Sequence, residues 1–176
     1  MTVLRRPRLL LAGAVAILAL TLIALAGGFA EAGPRNGPAR TPGERMVGHR
    51  WAVTVREASV VQRYETSPPQ LQLRLDLENV TDAHLGYQIK GLIAVELPDG
   101  TRFEEPSISN PGNGYGNPGF VTPVEATIRL EALPPGDLPI RVTVRDERAH
   151  RSWVTTDNWR PTAVLGHVDL VARDLR

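Results

Sequence analysis

Leu71, Leu73, Leu75 and Leu77 alternate with Gln72, Arg74, Asp76 and Glu78. A helix turns about 100° per residue and would scatter these leucines around its circumference, whereas an extended strand collects all four on one face. The same period of two recurs in Trp51-x-Val53-x-Val55, Ile93-x-Val95-x-Leu97, Val124-x-Ala126-x-Ile128-x-Leu130 and Ile140-x-Val142-x-Val144, with Val168-x-Leu170 as a last strand. Turn residues bound these runs at Asn79-Val80-Thr81-Asp82, Pro98-Asp99-Gly100 and Pro134-Pro135-Gly136-Asp137. Pro98 presets its own φ and Gly100 can take φ > 0, so the strand ending at Leu97 is expected to return along Thr101–Glu105 as a hairpin. No helix-length amphipathic stretch follows Ala30. Strands with one apolar face must be covered by a second layer, so the expected fold is all-β: an antiparallel β-sandwich of about seven to nine strands, with a closed barrel as the alternative.

Ahead of this region, Leu9–Ala30 (LLLAGAVAILALTLIALAGGFA) runs for 22 residues without a charge. As a helix it would reach about 33 Å, the thickness of a hydrocarbon core. Arg5, Arg6 and Arg8 precede it, and by the positive-inside rule the basic stub 1–8 stays cytoplasmic while the remainder lies outside the cell. Ala24-Leu25-Ala26 and Ala30-Glu31-Ala32 carry the small-x-small pattern of cleaved signals, so secretion after cleavage is the alternative. The uninterrupted apolar run Leu9–Ala26 exceeds the usual core of a cleaved signal, which favours a retained single-pass signal-anchor helix over 9–30. Residues 31–48 (EAGPRNGPARTPGERMVG) show neither helical nor strand periodicity and read as a Pro/Gly-rich tether. The sandwich is then expected over 49–176.

The chain has 176 residues and no cysteine, which removes disulfides, thiolate nucleophiles, Cys-ligated metal and a lipid-modified cysteine. Its formal net charge is +1, and residues 51–176 alone hold 13 Lys+Arg against 17 Asp+Glu, a net of −4. That is a poor field for a phosphate backbone, so no nucleic-acid partner is expected. Arginine outnumbers lysine 19 to one, Lys90, as in proteins from GC-rich bacterial genomes.

Four strings together resemble a known group. LQLRLDLENVTDA, LPDGTRFEE, PVEATIRLEALP and IRVTVRD, the last pair following a Pro/Gly-rich stretch, resemble the small extracytoplasmic immunoglobulin-like domains of actinobacterial membrane proteins and lipoproteins, a domain-of-unknown-function class. The match spans roughly residues 50–147. The resemblance implies an immunoglobulin-like sandwich with interaction or accessory roles and supplies no catalytic residues. This chain departs from it in lacking a lipobox cysteine and in its extended loop 106–119.

That loop, PSISNPGNGYGNPG, holds four Gly, three Asn and one aromatic residue. Asn110, Asn113, Tyr115 and Asn117 are its candidate contact residues, because glycine lets backbone approach a partner and a tyrosine offers a large surface with a polar tip. A flexible connection between strands is the plainer reading of the same loop. Trp153 and Trp159 are candidate aromatic contacts for a sugar or small solute, while Trp51 is assigned to the core by its alternation with Val53. Asp146, Glu147 and His150 in RDERAHR sit among arginines and read as a solvated charged turn rather than a metal or acid–base site. His49, His84 and His167 show no ligand spacing, the serines lie in no Gly-x-Ser-x-Gly context, and no catalytic, cofactor or metal residue is assigned. Asn79-Val80-Thr81 is formally a glycosylation sequon but is read as a strand-end turn.

These readings converge on a membrane-anchored, non-catalytic module that contacts another membrane or envelope protein. A sugar- or solute-binding module needs exposed aromatic rings beside a groove, and an envelope hydrolase needs a Ser/Asp/His set or a carboxylate pair converging in a pocket.

Overall fold

The computed structural model describes residues 37–86, 91–109, 114–131, 133, 135–150 and 158–176. The expected membrane segment Leu9–Ala30 lies outside them, and no helix among the described residues is long and apolar enough to cross a membrane. Among the described residues ten strands form: β1 (Ala39–Arg40), β2 (Arg45–Val47), β3 (Trp51–Val61), β4 (Gln70–Asn79), β5 (Ile93–Glu96), β6 (Arg102–Phe103), β7 (Ser107–Ile108), β8 (Val121–Arg129), β9 (Leu138–His150) and β10 (Asn158–Asp174). The count exceeds seven to nine because β1, β6 and β7 have two residues each, too few to show a period.

The alternations become pairings. Leu71, Leu73, Leu75 and Leu77 of β4 lie against Val60, Ala58, Val55 and Val53 of β3 on one side, and against Ile128, Ala126, Val124 and Thr122 of β8 on the other. All four leucines are at most 1% exposed. A β-bulge between Val55 and Glu57 shifts the register by one residue, which keeps Ala58 and Val60 on the inner face although the sequence period breaks there. β2 and β7 complete this layer through β3 and β8.

The facing layer is built on the long β9–β10 pair, with β5 and β6 beyond β9. Val95, Ile140, Val142, Val144, Val168 and Ala172 supply its core face. The hairpin expected at Pro98-Asp99-Gly100 forms, with Gly100 at φ +85° and Leu97 N–H donating to Thr101 O at 2.8 Å. The two layers enclose one apolar core, a β-sandwich. It is not wholly antiparallel: β10 pairs in parallel with β1, and at Arg173–Asp174 in parallel with β3. With 17 residues, β10 outruns its β9 partner and reaches the other layer, so the layers join along one side as a single curled sheet.

The tether expectation needs correction. Residues 37–48 belong to the folded unit, which runs from Asn36 to Arg176. β1 pairs with β10 through Ala39–His167 and Arg40–Val168. β2 pairs with β3, and its Met46 enters the core at 2% exposure. Glycines and prolines masked this segment because each of its strands is only two or three residues long. Gly37, at φ +63°, takes a backbone conformation an L side chain resists, and a Cβ there would meet Val164 Cγ1 at 2.8 Å.

Candidate functional site

A buried polar cluster lies where β2 turns into β3. Gly48 N–H donates to Trp51 O at 2.9 Å, and the tight turn projects His49 and Arg50 toward β9. Only glycine fits at position 48, since a Cβ would stand 2.5 Å from Asp146 Oδ1. That oxygen accepts the backbone N–H of His49 at 2.7 Å and of Glu147 at 2.9 Å, while Oδ2 meets His49 Nδ1 at 2.5 Å. Asp146 is buried while the His49 side chain is 59% exposed.

One residue further along each segment, Arg50 Nη1 donates to Glu147 Oε2 at 2.8 Å, with both side chains almost fully buried. The Arg50 guanidinium lies 4.8 Å from the ring centroid of Trp159 and 5.8 Å from that of Trp51. Burial pushes the Glu147 carboxyl above the ordinary glutamate range; the Arg50 charge and hydrogen bond pull it back, and the Asp146 charge adds to the rise. Two consecutive residues of one layer are thus bound to two consecutive residues of the other. The arrangement is a clamp between the layers, with each carboxylate engaged by donors.

A second junction lies beneath the loop that the sequence singles out. Asn79, fully buried, donates from Nδ2 to Ala83 O and Gly116 O, both at 2.7 Å, and accepts from Thr81 N–H and Oγ1 at Oδ1. All its amide capacity is spent, so the sequon is a strand-end turn and its nitrogen is closed to modification in the folded state. Leu85 N–H donates to Gly116 O and Gly119 N–H to Asn79 O, which pins the second half of the loop to the body. Gly116, at φ +79°, has no room for a side chain: a Cβ would fall 2.0 Å from Leu85 O.

The candidate residues fall as follows. Asn110, Asn113 and Trp153 lie outside the described residues. Tyr115 is not presented to solvent: it is 4% exposed, its ring centroid 5.4 Å from that of Trp51. Asn117 is exposed, with Oδ1 at 3.1 Å from His84 Nδ1. Trp159 is half-buried with Arg50 over its ring. Trp51 is in the core at 1% exposure.

The reading of RDERAHR as a solvated turn is corrected at Asp146 and Glu147, which belong to β9 and are buried. His49 and Arg50 were missed because they act on residues 97 positions away, a distance no local motif spans. One signal was present: Ile140, Val142 and Val144 continue in the same parity to Asp146, which puts that acid on the core face. His49 does converge on a carboxylate, and no group of three His, Cys, Asp or Glu among the described residues could hold a metal ion.

No protein-family model matches the chain, and no curated protein matches it in sequence. Two solved structures are similar in backbone. An uncharacterised β-sandwich protein from Clostridium difficile 630 is 12% identical, with 76% of this chain and 93% of that one covered, at a TM-score of 0.49. A candidate lipoprotein from Staphylococcus aureus subsp. aureus NCTC 8325 is 12% identical, with 78% and 97% covered, at a TM-score of 0.41. What this chain's own strand pairing establishes is a β-sandwich whose layers are clamped by His49, Arg50, Asp146 and Glu147.

Proposed function

We propose that the protein is a membrane-anchored, extracytoplasmic module of immunoglobulin-like type that works by contact with another membrane or envelope protein rather than by catalysis. The observation that carries this reading is how the buried polar residues are used. Asp146 and Glu147 tie β9 to the turn between β2 and β3, Asn79 ties the end of β4 to Ala83 and Gly116, and Arg50 covers the half-buried Trp159 ring. The charge-free run Leu9–Ala30 and the basic residues before it support anchoring and orientation. Either small-x-small cleavage motif precedes Gly37, so a cleaved form would keep all of the described sandwich.

The test is in-membrane crosslinking of the full chain carrying photoreactive side chains at exposed positions, with the captured species identified by mass spectrometry. A protein neighbour recovered from several positions on one face supports the module. Capture of nothing but lipid from all faces would defeat it. A solute-binding role loses much of its basis with Tyr115 inside the core and Arg50 stacked on Trp159.

A further inference from the structure

Arginines on the strands of this sandwich mostly meet carboxylates. Arg45 bonds Glu78 at 2.8 Å, Arg56 bonds Asp76 at 2.8 Å, Arg141 holds Asp169 through two nitrogens, and Arg102 and Arg145 share Glu104. The outer end of the β9–β10 ribbon breaks this pattern. There Arg148 stands directly opposite Arg160, and like charges in that relation oppose strand pairing. Both are exposed. Arg160 has no carboxylate within ion-pair distance among the described residues. Arg148 comes no nearer than 3.9 Å to Asp146, a buried acid already committed to His49 and Glu147. Arg129 and Arg173 also lack a carboxylate there, but each faces a neutral residue, Gln70 and Ser59.

A cross-strand pair of planar cations is unfavourable until an anion lies across it. We propose that Arg148 and Arg160 form a docking face for a carboxylate-rich segment of a partner protein. This deepens the contact-module reading and rests on it, adding the chemistry of the partner. An acidic protein segment is favoured over an anionic lipid surface on two observations. Among the described residues, the exposed large apolar residues Val47, Tyr64, Phe120, Val121 and Leu175 lie outside the strands of this ribbon, and Val171 sits at its opposite end across from Pro139, so none stands beside Arg148 and Arg160 to insert between lipids. The net charge of −2 over residues 37–176 would also be repelled by an extended anionic surface, whereas a short peptide interacts with the ribbon within one screening length.

The experiment uses the full chain in dodecyl maltoside and a fluorescein-labelled octaglutamate peptide followed by anisotropy at low salt. Binding is expected to weaken tenfold or more in Arg148→Gln/Arg160→Gln, to persist in Arg129→Gln/Arg173→Gln, and to withstand competition by glycerophosphoglycerol. The thermal midpoint of the first variant should hold or rise, because a repulsion has been removed; should it fall, the single Arg160→Gln serves as reporter. Absence of peptide binding, equal loss in the two double variants, or displacement by glycerophosphoglycerol overturns the proposal, the last reassigning the face to a lipid headgroup. Failure here leaves the crosslinking test of the module untouched, so the two readings fall separately.

Discussion

Replacing Arg50 by methionine removes the cation from the clamp and keeps its apolar bulk. Glu147 then stays buried, its principal countercharge gone and the Asp146 charge still nearby. A buried ion stripped of its partner costs about 3–5 kcal/mol. For a folded unit running from Asn36 to Arg176, unfolding entropy of about 2.1 cal/mol/K per residue converts this to a fall of roughly 10–17 °C in melting temperature. The double substitution Arg50→Met/Glu147→Leu removes both charges. It should recover the loss and equal or exceed the starting stability, since apolar replacement of buried pairs ranges from neutral to about 4 kcal/mol stabilising. Urea unfolding of the full chain in detergent, followed by Trp fluorescence, measures both. A single-variant loss below about 1 kcal/mol, or a double variant as unstable as the single, would refute the view that desolvation and pairing nearly cancel here.

Three further outcomes follow from the same geometry. Because the Glu147 carboxyl is raised in the folded state, its favourable contribution is full below the unfolded glutamate value and is lost as pH rises through the raised one. Glu147→Gln should therefore gain stability relative to the parent between acidic and neutral pH, read from urea midpoints across that range; a flat difference would count against it. Chains beginning at Gly37 and at Arg50 should differ sharply in circular dichroism melts, the shorter having lost β1, β2 and the buried Met46, whose replacement by alanine alone should cost about 2–5 kcal/mol. Gly116→Ala, which puts a Cβ into Leu85 O, should abolish or severely weaken folding. Gly100→Ala, equally left-handed but with open space around it, should cost only about 1–3 kcal/mol, and equal melting temperatures for the two would contradict the close approach.

Alternation by itself determined much of the strand content and core: the leucines of β4, the inner faces of β8 and β9, and Trp51, Val53 and Val55 of β3 all lie where a period of two puts them. The face a side chain takes is a short-range consequence of strand parity, so it can be read from consecutive residues. Only the tertiary structure decided the rest. The inclusion of 37–48 depends on strands too short for any period to show, and the clamp unites His49 and Arg50 with Asp146 and Glu147 across 97 positions. Tyr115 sat in a loop of polar composition, yet Gly116 lets that loop press against Leu85 and Asn79 and carries the ring inside. The opposition of Arg148 and Arg160 is likewise set by the β9–β10 register. In each case the deciding energy, burial or charge against charge, exists only once distant segments of chain are brought together.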